Sequence, residues 1–261
     1  MLQAVLKEAS VMKKVIEAIK DLVTDGNIDC SPQGMCMRAM DSAHVALVDL
    51  RLANGGFDVY NCKRPMTIGV NLLSMAKIMK LAGNTDKMVL SAMEVGDTLN
   101  FHFHSQDRKK QAKFELKLMD IDVDMMEMPT MEYEAVVEMP SAGLQRIVRD
   151  LMTLGDQVLI GVDEDGVEFN VIGDEGKGSI KVMEDIDEDK EDHLKTKVEL
   201  TRPVKLLFAL RYLNFFTRAT PLADTVKLSM STDVPLCIEY AFGELGYLRF
   251  HLAPKINEAE N

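Results

Sequence analysis

The sequence predicts an α+β fold of two similar domains, each with two helices packed on antiparallel sheets. Three observations carry this reading. First, the chain repeats itself: Ala4-Val5-Leu6-Lys7-Glu8-Ala9-Ser10 recurs as Ala135-Val136-Val137-Glu138-Met139-Pro140-Ser141, and Gly34-Met35-Cys36-Met37 aligns with Gly166-Val167-Glu168-Phe169. From Arg64-Pro65 and Arg202-Pro203 onward the copies run in step, placing Leu72 on Leu210, Lys80 on Arg218, Asp86 on Asp224 and Leu90-Ser91 on Leu228-Ser229. Second, four segments, 10–23, 72–82, 141–154 and 209–219, space their apolar residues as helices do. Third, the stretches between them alternate with a period of two, as in Thr98-Leu99-Asn100-Phe101-His102-Phe103, the mark of half-buried antiparallel strands. Roughly sixteen strands against so few helices place the helices on one face of the sheets.

The elements follow in order. In the domain predicted over 1–117, the first helix buries Met12, Val15, Ile16, Ile19, Leu22 and Val23, while Lys13 and Lys20 share a second stripe with Lys14 nearby. The next helix turns Leu72, Met75, Met79 and Ala82 to the core and Lys77 and Lys80 away. A connector is expected over 118–134. There Leu118-Met119-Asp120-Ile121-Asp122-Val123-Asp124-Met125-Met126-Glu127-Met128 alternates acid and apolar residues before Pro129, a pattern for an extended segment at the surface. In the domain predicted over 135–261, Arg146 and Arg149 stand opposite Leu144, Ile147, Val148 and Leu151, and the last helix carries Arg211 and Arg218.

The 261 residues give each domain enough chain for a core of its own. Apolar runs are as short as Val158-Leu159-Ile160, which excludes a membrane-spanning helix. The start, Met1-Leu2-Gln3-Ala4, has no basic segment leading into a long apolar core and reads as a strand rather than a signal peptide. Cys30, Cys36, Cys62 and Cys237 form no paired motif and read as reduced thiols of a cytosolic or nuclear protein.

A net charge of −12 argues at first against nucleic acid. The charge is partitioned, however. The four helical segments together carry +6 and the remainder −18, and the segments 72–82 and 209–219 contain no acid. A solvated helix face ordinarily mixes signs as Glu/Lys pairs. Basic faces on four similar helices suit phosphate contact without base reading, because such dispersed cations do not enter a groove as a recognition element. Contacts of that kind permit sliding, since no register is preferred.

Enzymatic constellations are weak. His102 and His104 share a strand face without further ligands close by, and no metal site is expected. In Gly173-Asp174-Glu175-Gly176-Lys177-Gly178-Ser179 a glycine separates Lys from Ser and a strand follows where a phosphate loop requires a helix. The acidic pairs single out no general acid and base, and no nucleophile motif is present. No catalytic residue and no cofactor is expected.

Met40-Asp41-Ser42-Ala43-His44-Val45, Leu116-Lys117-Leu118-Met119-Asp120-Ile121-Asp122, Leu210-Arg211-Tyr212-Leu213-Asn214-Phe215-Phe216-Thr217-Arg218-Ala219-Thr220-Pro221-Leu222 and Leu252-Ala253-Pro254-Lys255-Ile256 closely resemble the proliferating cell nuclear antigen family of eukaryotes. The resemblance runs end to end. It implies two similar DNA-clamp domains per chain, a homotrimeric ring around duplex DNA, and a nuclear role as processivity factor for replicative DNA polymerases. It also implies loading by an ATP-driven clamp loader. The family's inner basic residues fall on Lys13, Lys14, Lys20, Lys77, Lys80, Lys110, Arg146, Arg149, Arg211 and Arg218.

The resemblance further implies an apolar pocket under the connector that receives short peptides with paired aromatics, from replication and repair partners. Its members here are Met40, His44, Val45, Leu47, Met126, Met128, Pro235, Ala253, Pro254 and Ile256. Methionine adapts to varied partners and contacts aromatic rings favourably, although Met126 or Met128 alone would equally suit core packing. Subunits of the family join by strand pairing, which falls here on strands near 109–117 and 177–183, with Phe114, Leu116, Gly178, Ile180 and Val182, and on Leu81, Leu151 and Leu154 beside them.

Three positions depart from the family pattern. Glu164 stands where many relatives carry a modified lysine, His251 where a tyrosine is common, and the acidic loop over 184–192 is longer than usual. Rival readings are a subunit of a heterotrimeric checkpoint clamp, for which retention of both the pocket and the 210–222 stretch is unexpected, and a hydrolase acting on DNA.

Overall fold

The computed structural model describes residues 1–107, 109–122, 131–174, 176–185, 189 and 191–255. The chain divides into two compact units, Met1–Glu127 with Phe242–Leu248, and Met128–Ala241 with Arg249–Asn261. The first contains β1 (Leu2–Leu6), α1 (Ser10–Ile19), β2 (Asp25–Ser31), β3 (Gly34–Met40), β4 (Ala46–Ala53), β5 (Val59–Cys62), β6 (Met66–Asn71), α2 (Leu72–Lys80), β7 (Lys87–Ala92), β8 (Thr98–His104) and β9 (Gln111–Lys117). The second repeats that order with β10 (Ala135–Pro140), α3 (Ser141–Leu151), β11 (Gln157–Asp163), β12 (Gly166–Gly173), β13 (Gly176–Met183), β14 (Lys197–Leu200), β15 (Val204–Ala209), α4 (Leu210–Phe216), β16 (Thr225–Ser231) and β17 (Val234–Ala241). The last strand, β18 (Gly246–Leu252), spans the boundary between the two groupings.

Topology repeats as well. In the first unit the strands order as β5-β1-β7-β8-β9 and as β4-β3-β2-β6, and in the second as β14-β10-β16-β17-β18 and β13-β12-β11-β15. The pairings within these orders that bear on the site are antiparallel. This is the two-domain α+β architecture expected from the sequence, with four α-helices among the described residues.

The repeated glycines have a steric reason. Gly34 and Gly166 each close a hairpin, with φ of +139° and +151°. A Cβ on Gly34 would lie 2.0 Å from the Leu52 carbonyl oxygen, and one on Gly166 2.1 Å from that of Val182. Only glycine satisfies both the conformation and the approach.

The opening similarity is out of register in space. Ala4 pairs with Leu90, but Ala135 pairs with Met230, while Val137 faces Leu228, the counterpart of Leu90. The strands are therefore displaced by two residues relative to the sequence match. An even slip keeps every side chain on its own face, so the hydrophobic pattern could not reveal it.

Helix ends also fall short of the apolar stripes. Leu22 and Val23 are buried but follow α1, held by amides bonded back to the Ile19 carbonyl at 3.0 Å. After α4 the chain tightens into a 3-10 turn over Thr217–Leu222. Pro221 has no amide to donate, and the Thr217 and Thr220 hydroxyls bond the Asn214 and Thr217 carbonyls at 3.1 and 2.7 Å.

Each core lies beneath the helices. In the first unit Met12, Ile16 and Met75 meet Ile28, Met37 and Leu52 around a void of about 10 Å³. In the second, Phe216 stacks on Phe250 with centroids 4.6 Å apart, and Tyr240 meets Phe250 edge-on. Among the described residues no helix is long and apolar enough to cross a membrane.

Candidate functional site

The two helices of each unit are tied side by side at their ends. In the first, the amides of Ala9 and Ser10 donate to the carbonyls of Asp86 and Asn84 at 2.8 and 3.2 Å, and Lys13 Nζ donates to the Ala82 carbonyl at 3.1 Å. In the second, the Ser141 amide and hydroxyl bond the Asp224 and Ala223 carbonyls at 2.8 and 2.6 Å, and Gln145 Nε2 reaches the Thr217 carbonyl at 3.0 Å. Asn71 caps α2 by accepting from the Ser74 amide at 2.8 Å. Lys77 and Lys80 in its last turn complement the helix dipole.

The basic residues of the helices differ in environment. Lys14, Lys77 and Lys80 are exposed, and among the described residues none of them has a carboxylate within ion-pair distance. Lys20, just past α1, lies 3.1 Å from Asp21 and 3.4 Å from Glu17, with 14% of its side chain exposed. The hydrogen bond to Asp21, against the cost of burial, raises its pKa above the usual lysine value. Its charge is therefore partly neutralised locally.

Arg146 and Arg149 are 78% and 73% exposed and share Asp150, at 3.6 and 3.8 Å. Such open pairs in water hold little energy and leave both guanidinium groups available to a phosphate. Arg211 lies 4.7 Å over the Tyr212 ring and donates to its hydroxyl at 2.9 Å, and Arg218 sits 4.9 Å over Phe215. An aromatic face orients a guanidinium without adding negative charge. Arg218 stands on the 3-10 turn after α4, and Lys110 on the exposed turn between β8 and β9, where its amide donates to Ser105 Oγ at 3.0 Å.

The residues expected in a peptide pocket divide between the units. Met40 and Leu47 are partners across the β3–β4 pair; Met40 is half-buried and Leu47 buried. The turn between them is organised by Asp41, buried at 6% exposure. Its Oδ1 accepts from the Val45 and Ala46 amides at 2.8 Å each, and its Oδ2 from the Ala43 amide at 3.2 Å. His44 takes a φ of 55° and is exposed, with Val45 half-buried beside it. In the second unit Pro235 lies half-buried on β17, and exposed Ala253 and half-buried Pro254 follow β18. Met126, Met128 and Ile256 lie outside the described residues. His251 is buried within β18.

The residues expected at a joint between subunits lie on or beside two sheet edges. β9 is the edge of the five-stranded sheet and β13 the edge of the four-stranded one. β9 alternates exposure, with Phe114 half-buried and 6.0 Å from Phe103, and Leu116 buried. β13 alternates throughout, with Gly178, Ile180 and Val182 on its half-buried side. A Cβ on Gly178 would meet Leu154 Cδ1 at 2.8 Å and Leu151 Cδ2 at 3.6 Å, so these three residues form one cluster. Leu151 is buried, Leu154 half-buried, and Leu81 beyond α2 is 54% exposed.

Other motifs resolve as structure. Gly173 and Gly176 pair at the end of the β12–β13 hairpin, with no helix after them. Glu164 is exposed in the β11–β12 turn, where Lys181 reaches Asp163 and Asp165 at 3.3 and 3.2 Å. The pairing of Lys20 with Asp21 and the role of Asp41 escaped sequence reasoning. An Asp beginning a short turn between two strands was the available signal for the second.

A family model for the N-terminal domain of proliferating cell nuclear antigen matches residues 1–127, and one for its C-terminal domain matches residues 127–255. The chain belongs to the proliferating cell nuclear antigen family, the non-enzymatic sliding clamps that serve as processivity factors in DNA replication and repair.

Proposed function

We propose that three copies of this chain close into a ring around duplex DNA, with α1 to α4 of each copy toward the hole. The observation that carries the reading is the exposed set Lys14, Lys77, Lys80, Arg146, Arg149 and Arg211 on four helices, with Arg218 on the turn after α4, in a chain whose net charge is −12. Lys13 and Lys20 support the same surface with charges held closer to the protein, and Lys110 adds an exposed charge from the turn between β8 and β9. Three copies would set roughly +18 on helices against −54 elsewhere, so the exterior repels DNA and the hole attracts it.

Ring closure is supported by the two edges. An open edge seven or eight residues long invites pairing, and head-to-tail union of β9 with β13 of another copy would leave neither exposed. Phe114, Leu116, Ile180 and Val182, with Leu81, Leu151, Leu154 and Gly178 nearby, would line that joint. The domains we assign are 1–117 and 135–261, joined by a connector over 118–134.

Partners would be DNA polymerases, the clamp loader and other replication and repair proteins carrying short aromatic peptides, in the nucleus. Their site would be Met40, His44, Val45, Leu47, Met126, Met128, Pro235, Ala253, Pro254 and Ile256. The test is retention on circular DNA by a species with the mass of three chains. Loss of retention on linearising the circle is expected. Equal retention on circular and linear DNA would overturn the ring.

A further inference from the structure

We propose that the solvent face of the five-stranded sheet holds a site for a dianionic phosphate group, built from Lys7, Lys87 and His104. It lies apart from the basic helix faces and does not depend on the ring.

Register creates the site. Leu6 and Met88 are the last pair of β1 and β7, so Lys7 comes next to Lys87 across the strands. Lys87 pairs with His104, and His104 with Gln111. Three basic side chains thus form one row across three strands. They share the face opposite Met88, Leu90 and Phe103, which are buried. Like charges directly opposite one another destabilise a sheet. One row further along, His102 faces Lys113. Burial first, and then Lys113 and His104, depress the pKa of His102, a sign of positive potential on this face.

The row borders a basin of about 390 Å³, which Thr85 and Gln111 also line. Both extend hydrogen-bonding groups beside the cations. Among the described residues that line the basin there is no carboxylate, in a chain with 42 acidic residues. Among the described residues Lys7, Lys87 and Lys113 have no carboxylate within ion-pair distance. Of the acids beside the row, Glu8 follows Lys7 and is exposed, and Asp86 precedes Lys87 and accepts from the Gly83 amide at 2.8 Å; neither is among the described residues that line the basin. Asp107 accepts from the Ser105 hydroxyl at 2.6 Å and from the Lys109 amide at 3.1 Å, and Glu115 stands two residues beyond Lys113.

The second unit has no counterpart. There the equivalent row begins with Pro140 opposite Thr225, neither of them ionisable. The cationic row therefore belongs to one copy of the repeat and is not demanded by the fold.

A dianion fits this setting better than duplex DNA does. A phosphate on a small molecule or on a phosphorylated side chain presents two charges and several acceptors to a compact basin. A duplex would bring its whole charged backbone against an acidic exterior.

The test uses the full chain, with inorganic pyrophosphate as probe and sodium chloride at equal ionic strength as control. Acetylation of lysines read by mass spectrometry should show Lys7 and Lys87 protected several-fold by pyrophosphate, with Lys77 unchanged. Thermal unfolding of the Lys7→Gln/Lys87→Gln variant in chloride should start at or above the parent's Tm, because the like-charge pair is gone. Its Tm should not respond to pyrophosphate, whereas the parent's should rise. A serine-phosphorylated peptide that protects the same lysines, where its unphosphorylated form does not, would support the side-chain source. Equal Tm rises in parent and variant, or protection of Lys7 and Lys87 by a 20-base-pair duplex but not by pyrophosphate, would overturn the proposal.

Discussion

The Met119 amide donates to the Gly69 carbonyl at 2.8 Å, and the two backbones run so close that a Cβ on Gly69 would lie 2.2 Å from the Met119 carbonyl oxygen. Asn27 Nδ2 holds the same segment by donating to the Ile121 carbonyl at 3.0 Å. The second unit repeats the arrangement, where the Lys255 amide donates to the Leu207 carbonyl at 2.8 Å. In both, the segment leaving the last strand of a domain copy lays one backbone hydrogen bond on the edge of β6 or β15.

Gly69→Ala should therefore lift the chain at Met119 away from β6. Overpacking against backbone costs about 1–3 kcal/mol, read as a lower urea midpoint. Gly161→Ala is the control, because its Cβ would meet only Lys205 side-chain carbons at 3.7 Å and beyond. If 118–134 is the connector, Gly69→Ala should also weaken capture of an aromatic partner peptide. A Gly69→Ala chain as stable as the control would show that the segment shifts freely.

Asp41 should be the residue on which the β3–β4 turn depends. It accepts three amide hydrogen bonds while buried, and hydrogen bonds to charged groups contribute about 1.5–3 kcal/mol each. Asp41→Ala is expected to destabilise by at least about 2 kcal/mol and to loosen Val45 and His44, measured by denaturant unfolding and amide exchange. His44→Val should cost about 1–2 kcal/mol, since a β-branched residue resists a φ of 55°.

The first-order architecture was legible because it rests on short-range pattern. The repeat announced itself through glycines whose conformation admits no other residue, and the helices through apolar stripes. What stayed hidden depended on register and on reach. The two-residue displacement of β10 leaves side-chain faces unchanged, so no periodicity records it. Lys20 bends to Asp21 and Glu17, which spacing alone does not distinguish from a lysine pointing outward. The Lys7–Lys87–His104 row joins residues far apart in sequence and exists only once β1, β7 and β8 are paired.

The cysteines should be slow to react. Burial pushes the Cys30, Cys36 and Cys62 thiols up from their ordinary range, and none of the four cysteines is in a disulfide. Alkylation of the native chain near pH 8 should label Cys36 first, the half-buried one, and leave Cys30 untouched until the chain is unfolded. Rapid labelling of all four in the native state would contradict the burial of Cys30, Cys62 and Cys237.

Charge removal from the helices should separate two kinds of lysine. Lys80→Ala with Arg149→Ala removes exposed cations, one with no carboxylate at ion-pair distance among the described residues and the other beside an open one. In the clamp reading this double variant keeps the assembly mass but slides off circular DNA sooner. The slope of log K against log salt should flatten by about 0.9 for each phosphate that is no longer neutralised. Lys20→Ala should flatten it less, because Asp21 and Glu17 already hold that charge and would be released to repel DNA instead. Its main effect should be a uniform drop in affinity at low salt. A Lys20→Ala variant that flattens the slope as much as the double variant would show that Lys20 leaves its carboxylates to meet the phosphate. Unchanged retention in the Lys80/Arg149 variant would remove α2 and α3 from the DNA-facing surface altogether.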